Sequence, residues 1–313
     1  MRIKLMLKGV ATYIPGVATY RARGTGGTNS ARYCYSVWLR HFVMAHRNGL
    51  CQQAPNTLLE LGPGDSLGIG LAALLTGAEK YFGLDVVEHA SIERNMAVFD
   101  ELVALFRKKE PIPGEREFPR VRPLLDSYEF PSQILLKNDL DRLLAQGRLE
   151  AIKHSILKMQ EQGSMVSYVT GVLGQQTIPQ HSVDMVFSQA VLEYVEPLLD
   201  TYCLMNTWLR PGGFISHQID FSCHGLAKDW DGHWAYSDLI WKLIRGKRVW
   251  FINRAPYSVH LRMIEQAGFR VHSELRVKAT AARSEIRLAP RFANLSQDDR
   301  TTRGVFVQAT KRN

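Results

Sequence analysis

The sequence predicts an α/β protein built on an open, mostly parallel sheet. A buried apolar run, Leu58 to Leu61, leads through a glycine turn into an apolar helix, Ile69 to Leu75. Short apolar runs then recur at Tyr81–Leu84, Ser164–Gly171, Met185–Phe187 and Phe214–Ile219, separated by stretches with helical apolar stripes. Asp85 follows the second run, Ser188 and Gln189 the fourth, and Asp220 the fifth. Open α/β sheets bind ligands beyond such carboxyl ends of their strands.

The turn Gly62-Pro63-Gly64 sits between strand and helix, where absent side chains let a ligand approach the backbone and where a helix N-terminus offers orphan amides. Glu60 precedes it. Asp85 lies about 20 residues further on, the spacing at which a carboxylate meets ribose hydroxyls in a nucleotide-binding βαβ unit. The dinucleotide fingerprint requires glycine at the sixth loop position; Leu67 stands there and Gly68 comes one residue late.

Acid-x-Gly-x-Gly at Glu60 to Gly64 resembles instead the first motif of class I S-adenosylmethionine-dependent methyltransferases. SVDMVFSQAVLEYV (Ser182 to Val195) is similar to that family's fourth-strand motif. LRPGGFISHQID (Leu209 to Asp220) is similar to its following turn and fifth strand. TGGTNSARYCYSVWLRH (Thr25 to His41), GPGDSLGIGLAALLTGA and NRAPYS (Asn253 to Ser258) resemble methyltransferases found beside polysaccharide genes. The resemblance implies a Rossmann-like, seven-stranded, mostly parallel sheet and S-adenosylmethionine as cofactor. It puts Glu60, Gly62 and Gly64 on the methionine side and Asp85 at the ribose. Val86 and Gly171 would flank the adenine, with Ser188 and Gln189 at the pocket wall.

Domain organisation follows the same pattern. Residues 1–54 read as an N-terminal cap, with an ambiguous strand-or-loop pattern over the first 23. A helix follows from Ala31 to about Arg47, preceded by Asn29-Ser30 as capping residues. Thr28, Arg32 or Tyr33 would touch the methionine carboxylate in the family reading; capping and core packing explain them as readily. Residues 55–313 read as the catalytic domain, carrying insertions at about 93–162 and 221–256. The first is proline-rich between Pro111 and Pro131. The second is rich in aromatics, among them Trp230, Trp234, Trp241 and Trp250, which suggests stacking on a ring face. The last two strands, Phe269–Val277 and Gly304–Thr310, form the closing antiparallel pair.

At 313 residues and 45% hydrophobic content the chain buries a large core, with no apolar run of membrane-spanning length and no signal-peptide pattern. Cys34, Cys51, Cys203 and Cys223 are far apart with no Cys-x-x-Cys pair, which fits a reducing cytoplasm and suggests neither a disulfide framework nor a zinc site. The net charge of +9 is spread along the chain, densest at Arg245, Lys247 and Arg248. It reads first as a solvated basic surface and second as steering of an anionic substrate.

Methyl transfer from a sulfonium needs alignment and an acceptor relieved of its proton. Beyond the fourth and fifth strands the sequence offers Glu193, Tyr194, His217, Asp220 and His224. His217 is the expected general base, oriented by Asp220; a strand-end histidine bonded to backbone is the rival. Strand alternation puts His217 and Asp220 on opposite faces, so no metal site is expected. Tyr194, His224 and Arg254 are expected acceptor contacts. SQAV at the fourth-strand end lacks the proline pair with which base methyltransferases hold a flipped base, which disfavours nucleic acid. The expected reaction is methylation of an oxygen on a sugar or other small polar molecule. RNA methylation, a non-catalytic cofactor-binding protein and a nicotinamide dehydrogenase are the alternatives.

Overall fold

The computed structural model describes residues 2–15, 26–161, 163–171, 174, 178–248, 251–279 and 287–312. Seven strands form one sheet: β1 (Thr57–Leu61), β2 (Lys80–Asp85), β3 (Val166–Thr170), β4 (Val183–Gln189), β5 (Leu209–Asp220), β6 (Phe269–Lys278) and β7 (Thr302–Lys311). Their order is β3-β2-β1-β4-β5-β7-β6. The first five run parallel, and β7 pairs antiparallel with both β5 and β6. This is the seven-stranded class I methyltransferase sheet. The chain leaves β1 toward β2 and β3, then returns to β4 on the other side, so a crevice opens between the ends of β1 and β4.

Helices cover both faces. On one lie α2 (Ala31–Arg47), α3 (Gly68–Leu75) and α4 (Ile92–Lys108), whose Trp38, Phe42, Leu71 and Phe99 bury against Leu58, Tyr81, Met185 and Phe187. On the other, α7 (Leu198–Trp208) and α9 (Tyr257–Gln266) bury Tyr202, Met205 and Ile264 against Leu59, Val186, Ile215 and Ile219. The alternation of the strands supplies the two faces: Leu58 faces one cluster and Leu59 the other.

α2 begins where the capping residues require, with the Ser30 hydroxyl accepting the Tyr33 N–H at 3.3 Å. Inside it Arg40 is fully buried, and its guanidinium donates to the carbonyls of Pro113, Val121 and Pro123. These carbonyls belong to the proline-rich stretch, which lacks partners in regular structure; Arg40 ties it to α2, together with Ser36, whose hydroxyl donates to the Pro113 carbonyl at 2.7 Å. The rest of the first insertion holds two short helices, α5 (Lys137–Leu143) and α6 (Gln146–Leu157).

The N-terminal segment differs from its strand-or-loop expectation. Arg2–Ala11 form a helix, α1, packed on α8 (Asp238–Arg245) of the second insertion. Gly9 makes the crossing close, since a Cβ there would stand 2.0 Å from the Leu243 carbonyl oxygen. The fifth strand also starts earlier than expected, at Leu209. The short helix α10 (Gln297–Thr301) precedes β7. Thr25, Trp250 and most of the turn after Gly171, where adenine was expected, lie outside the described residues. Among the described residues no helix is long and apolar enough to cross a membrane.

Candidate active site

The glycine turn takes the backbone form its sequence demands, with Gly62 at φ +64° and Gly64 at φ +76°. A Cβ on Gly62 would stand 2.8 Å from Val191 Cγ2, so the turn packs directly on the segment after β4. Asp85 at the end of β2 reaches across: its carboxylate accepts Gly64 N–H at 3.3 Å and Val86 N–H at 2.8 Å. Val86 lies exposed beyond it, and the N–H of Gly171, at the end of β3, donates to the Asp85 carbonyl at 3.0 Å. Glu60 is buried and accepts the Tyr81 hydroxyl at 2.6 Å.

The helix N-terminus does not offer the orphan amides that the turn motif implies. The Thr28 hydroxyl accepts Ser66 N–H, Asn95 accepts Leu67 N–H at 2.8 Å, and the Ser66 hydroxyl accepts Gly68 N–H at 3.1 Å. The Ser66 hydroxyl also donates a very short bond to the Thr28 carbonyl, closing the pre-motif loop over the turn. Arg32 is engaged bidentately by Glu117 at 2.7 Å and leaves only Tyr33 of the family's pre-motif candidates facing the carboxylates.

What remains is a line of carboxyls. Burial raises the proton affinity of Glu60, to about 8, of Asp85 and of Glu193. None of the three is in an ion pair with lysine or arginine among the described residues. Glu193 is the extreme case. It is 3% exposed, and neither carboxyl oxygen has a hydrogen-bond partner among the described residues. The Asp220 and Glu193 backbone N–H groups lie on its side without reaching bonding geometry, and the Asp220 carboxylate adds repulsion. Burial first, and then the fields of Cys34, Glu60 and Glu193, raise the proton affinity of Tyr33. A cationic ligand fits this lining: a sulfonium with an α-ammonium group supplies the positive charge these buried carboxyls lack.

Asn253 fixes Glu193 in place. Its side-chain amide donates to the Leu192 and Val195 carbonyls at 2.8 and 3.0 Å, and its N–H donates to the Glu193 carbonyl at 2.7 Å. The Asn-Arg-Ala-Pro motif thus clamps the 3-10 turn Leu192–Tyr194 from the far side. Next to it, the Tyr194 hydroxyl and His224 Nδ1 are 3.0 Å apart, and His224 Nε2 is 3.8 Å from Asp220 Oδ2. Asp220 Oδ1 accepts Ser222 N–H. Burial lowers the His224 pKa while Asp220 pulls it up.

Four expected site residues stand elsewhere. His217 is fully buried on the α7 face, its Nδ1 2.8 Å from Ser188 Oγ and its ring edge-on to Tyr202. Burial and the neighbouring His41 and His260 lower its pKa to about 3. It neither meets Asp220 nor opens to a pocket, because strand alternation turns it inward; this corrects its assignment as base. Ser188 shares that face and its bond, so it is not a pocket wall. Gln189 points to the other face, where it accepts from His41 Nε2 at 3.1 Å. Arg254 is buried, too, its guanidinium donating to the Tyr236 carbonyl and Asp238 and lying 4.5 Å over Trp241. That side chain is committed to the second insertion and is closed to an acceptor. The aromatic rings there fill the insertion's own core: Trp234, Tyr236, Trp241 and Phe251 are all buried, leaving Trp230 half-exposed.

Among the described residues no group of three or more His, Cys, Asp and Glu side chains has metal-binding geometry. A cleft of about 560 Å³ lies at the opposite end of the sheet, lined by Arg270, His272 and Lys311. Its lysine already donates to two carbonyls, those of Asn206 and Leu209.

Residues 145–216, from α6 into β5, match the methyltransferase domain family. No curated protein matches the sequence. Among solved structures, an S-adenosylmethionine-dependent methyltransferase from Mesorhizobium loti is 15% identical at a TM-score of 0.42, over 87% of this chain and 98% of that one. A phosphoethanolamine N-methyltransferase 2 from Haemonchus contortus, in complex with S-adenosyl-L-methionine, is 13% identical at 0.43, over 93% and 61%. The strand order, not these likenesses, defines the fold.

Proposed function

We propose that the chain, an S-adenosylmethionine-dependent methyltransferase by its sheet order and domain match, methylates a hydroxyl on a sugar or other small polar molecule. The observation that carries the acceptor side is the Tyr194–His224–Asp220 relay at the ends of β4 and β5. An alkyl hydroxyl is a poor nucleophile until its proton leaves, so an oxygen acceptor needs such a relay.

The bound cofactor supplies an activated methyl group on a positive sulfur. Glu60, Gly62 and Gly64 hold its methionine end, and Asp85 the ribose hydroxyls, with Val86 and Gly171 along the base. Glu193, buried and unpaired, faces the positive charge and fixes its position. The Tyr194 hydroxyl accepts the acceptor's proton while passing its own to His224 Nδ1. Asp220 then stabilises the resulting imidazolium through Nε2. This assigns the tautomer with the proton on Nε2, which follows from Asp220 being an acceptor.

The test is single-turnover methyl transfer from labelled cofactor to fractionated sugar, lipid-linked glycan and RNA pools. Tyr194→Phe and His224→Gln should each cut the rate by about 100-fold or more, with the cofactor Kd unchanged. Wild-type rates in both variants would remove the relay, and label appearing only in RNA would remove the acceptor class.

A further inference from the structure

We propose that α1 and α8 together form a docking face for an anionic membrane surface. On α1, Leu5, Met6 and Gly9 face α8 and its aromatic cluster, while Ile3, Leu7 and Val10 recur at helical spacing on the opposite side. Ile3 is 74% exposed and Leu7 65%, and on α8, which packs against α1, Leu239 is 69% exposed. Tyr13 and Ile14 extend the exposed apolar strip past the helix end.

Lysines flank the strip. Lys4 and Lys8 line one side of α1, and Lys242 and Lys247 lie along and just beyond α8, all four exposed. None makes an ion pair among the described residues; Lys247 stands 5.3 Å over the Tyr13 ring. The sequence holds no acidic residue before Glu60, and none between Asp238 and Glu265. Aliphatic side chains between bare ammonium groups are the composition of a helix lying in a lipid headgroup layer, with the aliphatics in the acyl boundary and the lysines on phosphates. Nucleic acid offers nothing for Ile3, Leu7 and Leu239 to bury against, which disfavours it as the occupant.

The face is continuous with the acceptor side. The cluster of Trp241, Ile244, Phe251 and Ile252 packs Leu5 and Met6 on one side and Tyr194 on another. A chain docked through α1 and α8 therefore holds Tyr194 close to the headgroup layer, and the acceptor is a sugar hydroxyl carried on a lipid. That last step rests on the relay proposed above; the docking itself does not.

The test is sedimentation of the full chain with vesicles of phosphatidylcholine alone and of phosphatidylcholine mixed with phosphatidylglycerol. Binding should appear only with the anionic vesicles and fall steeply with salt. Lys4→Gln and Lys8→Gln should each weaken it roughly fivefold, and Leu7→Asp should abolish it, while Lys137→Gln on α5 changes nothing. All four side chains are exposed, so circular dichroism and cofactor Kd should stay as in the wild type. No binding, equal binding to both vesicles, wild-type binding by the lysine variants, or binding to RNA alone would overturn the docking face. Docking without methyl transfer to lipid-borne hydroxyls would overturn the acceptor assignment and leave the face standing.

Discussion

His217 Nδ1 and Ser188 Oγ lie 2.8 Å apart across neighbouring strands, sealed under α7. The bond ties β5 to β4 inside the core and keeps the imidazole out of the chemistry. His217→Ala removes a buried ring and leaves the Ser188 hydroxyl unpaired. It should lower stability by about 2–4 kcal/mol while the folded fraction keeps methyl-transfer rates within about threefold of wild type. Urea denaturation and single-turnover kinetics on the same preparation check this. A variant of wild-type stability with the rate abolished would return the imidazole to the reaction.

Four imidazoles are held neutral by burial, His41 with a pKa of about 4 and His217, His233 and His260 at about 3. Their folded values are depressed below the ordinary 6.5, so the unfolded chain binds protons that the folded chain refuses. Stability from this source is complete above pH 6.5 and drains as pH falls, about 1.4 kcal/mol per pH unit for each ring. Glu60, raised to about 8, and Glu193 act in the opposite sense, holding protons in the folded state that the unfolded chain releases above about pH 4.5. Four rings against two carboxyls leave a net of two protons below pH 6.5, and the two carboxyls alone act above it, so stability should peak near pH 6.5 and fall by comparable amounts toward about pH 5 and about pH 8. The urea midpoint followed across that range measures it; a flat profile would mean the rings are solvated.

Much of the fold was legible because its signals are local. Ser30 before an apolar stripe gives α2, and alternating apolar runs give the parallel strands, in an order that the Gly62 turn and the connections allow. The alternation argument also separated His217 from Asp220 correctly, but could not tell which side of the sheet faces the ligand. α1 was not legible because its stability comes from α8, more than 200 residues away in the chain, and a short helix of scattered lysines has little propensity alone. Arg254 misled for the same kind of reason: a cation stacked on Trp241 and a cation waiting for a substrate read alike in one dimension. Glu193 was visible in LEYV, yet its isolation is a property of the packing around it. The signal for its clamp was Asn253, whose side chain satisfies three neighbours at once.

Arg254 holds the second insertion together. Its guanidinium bonds the Tyr236 carbonyl at 2.8 Å and Asp238 at 2.7 Å, lies over Trp241 and Phe292, and its carbonyl accepts the Trp234 indole N–H at 2.9 Å. Arg254→Ala should therefore cost about 2–4 kcal/mol, a fall in Tm of roughly 5–10 °C. Arg254→Lys should recover little, since an ammonium cannot both stack and fork. Calorimetric scans decide it. Wild-type Tm with a raised acceptor KM would place the guanidinium at the substrate instead.

The lining of buried carboxyls predicts a proton signature for cofactor binding. Without a ligand, burial and the nearby Asp220 charge keep Glu193 protonated well above its ordinary range. A cation beside it favours the ionised form, so binding should release a proton and tighten as pH rises. Glu193→Gln keeps the shape and removes the charge; it should weaken S-adenosylmethionine by about 10–100-fold and abolish proton release. It should affect S-adenosylhomocysteine, which lacks the sulfonium charge, by less than about threefold, since no charge pair is lost there. Gly62→Ala, by contrast, should weaken both ligands alike, because its Cβ presses on Val191 and strains φ +64° whatever the charge of the sulfur. Titration calorimetry in two buffers of different ionisation enthalpy separates these cases. Equal losses for both ligands in Glu193→Gln would show that the carboxyl supports the turn and does not sense the charge.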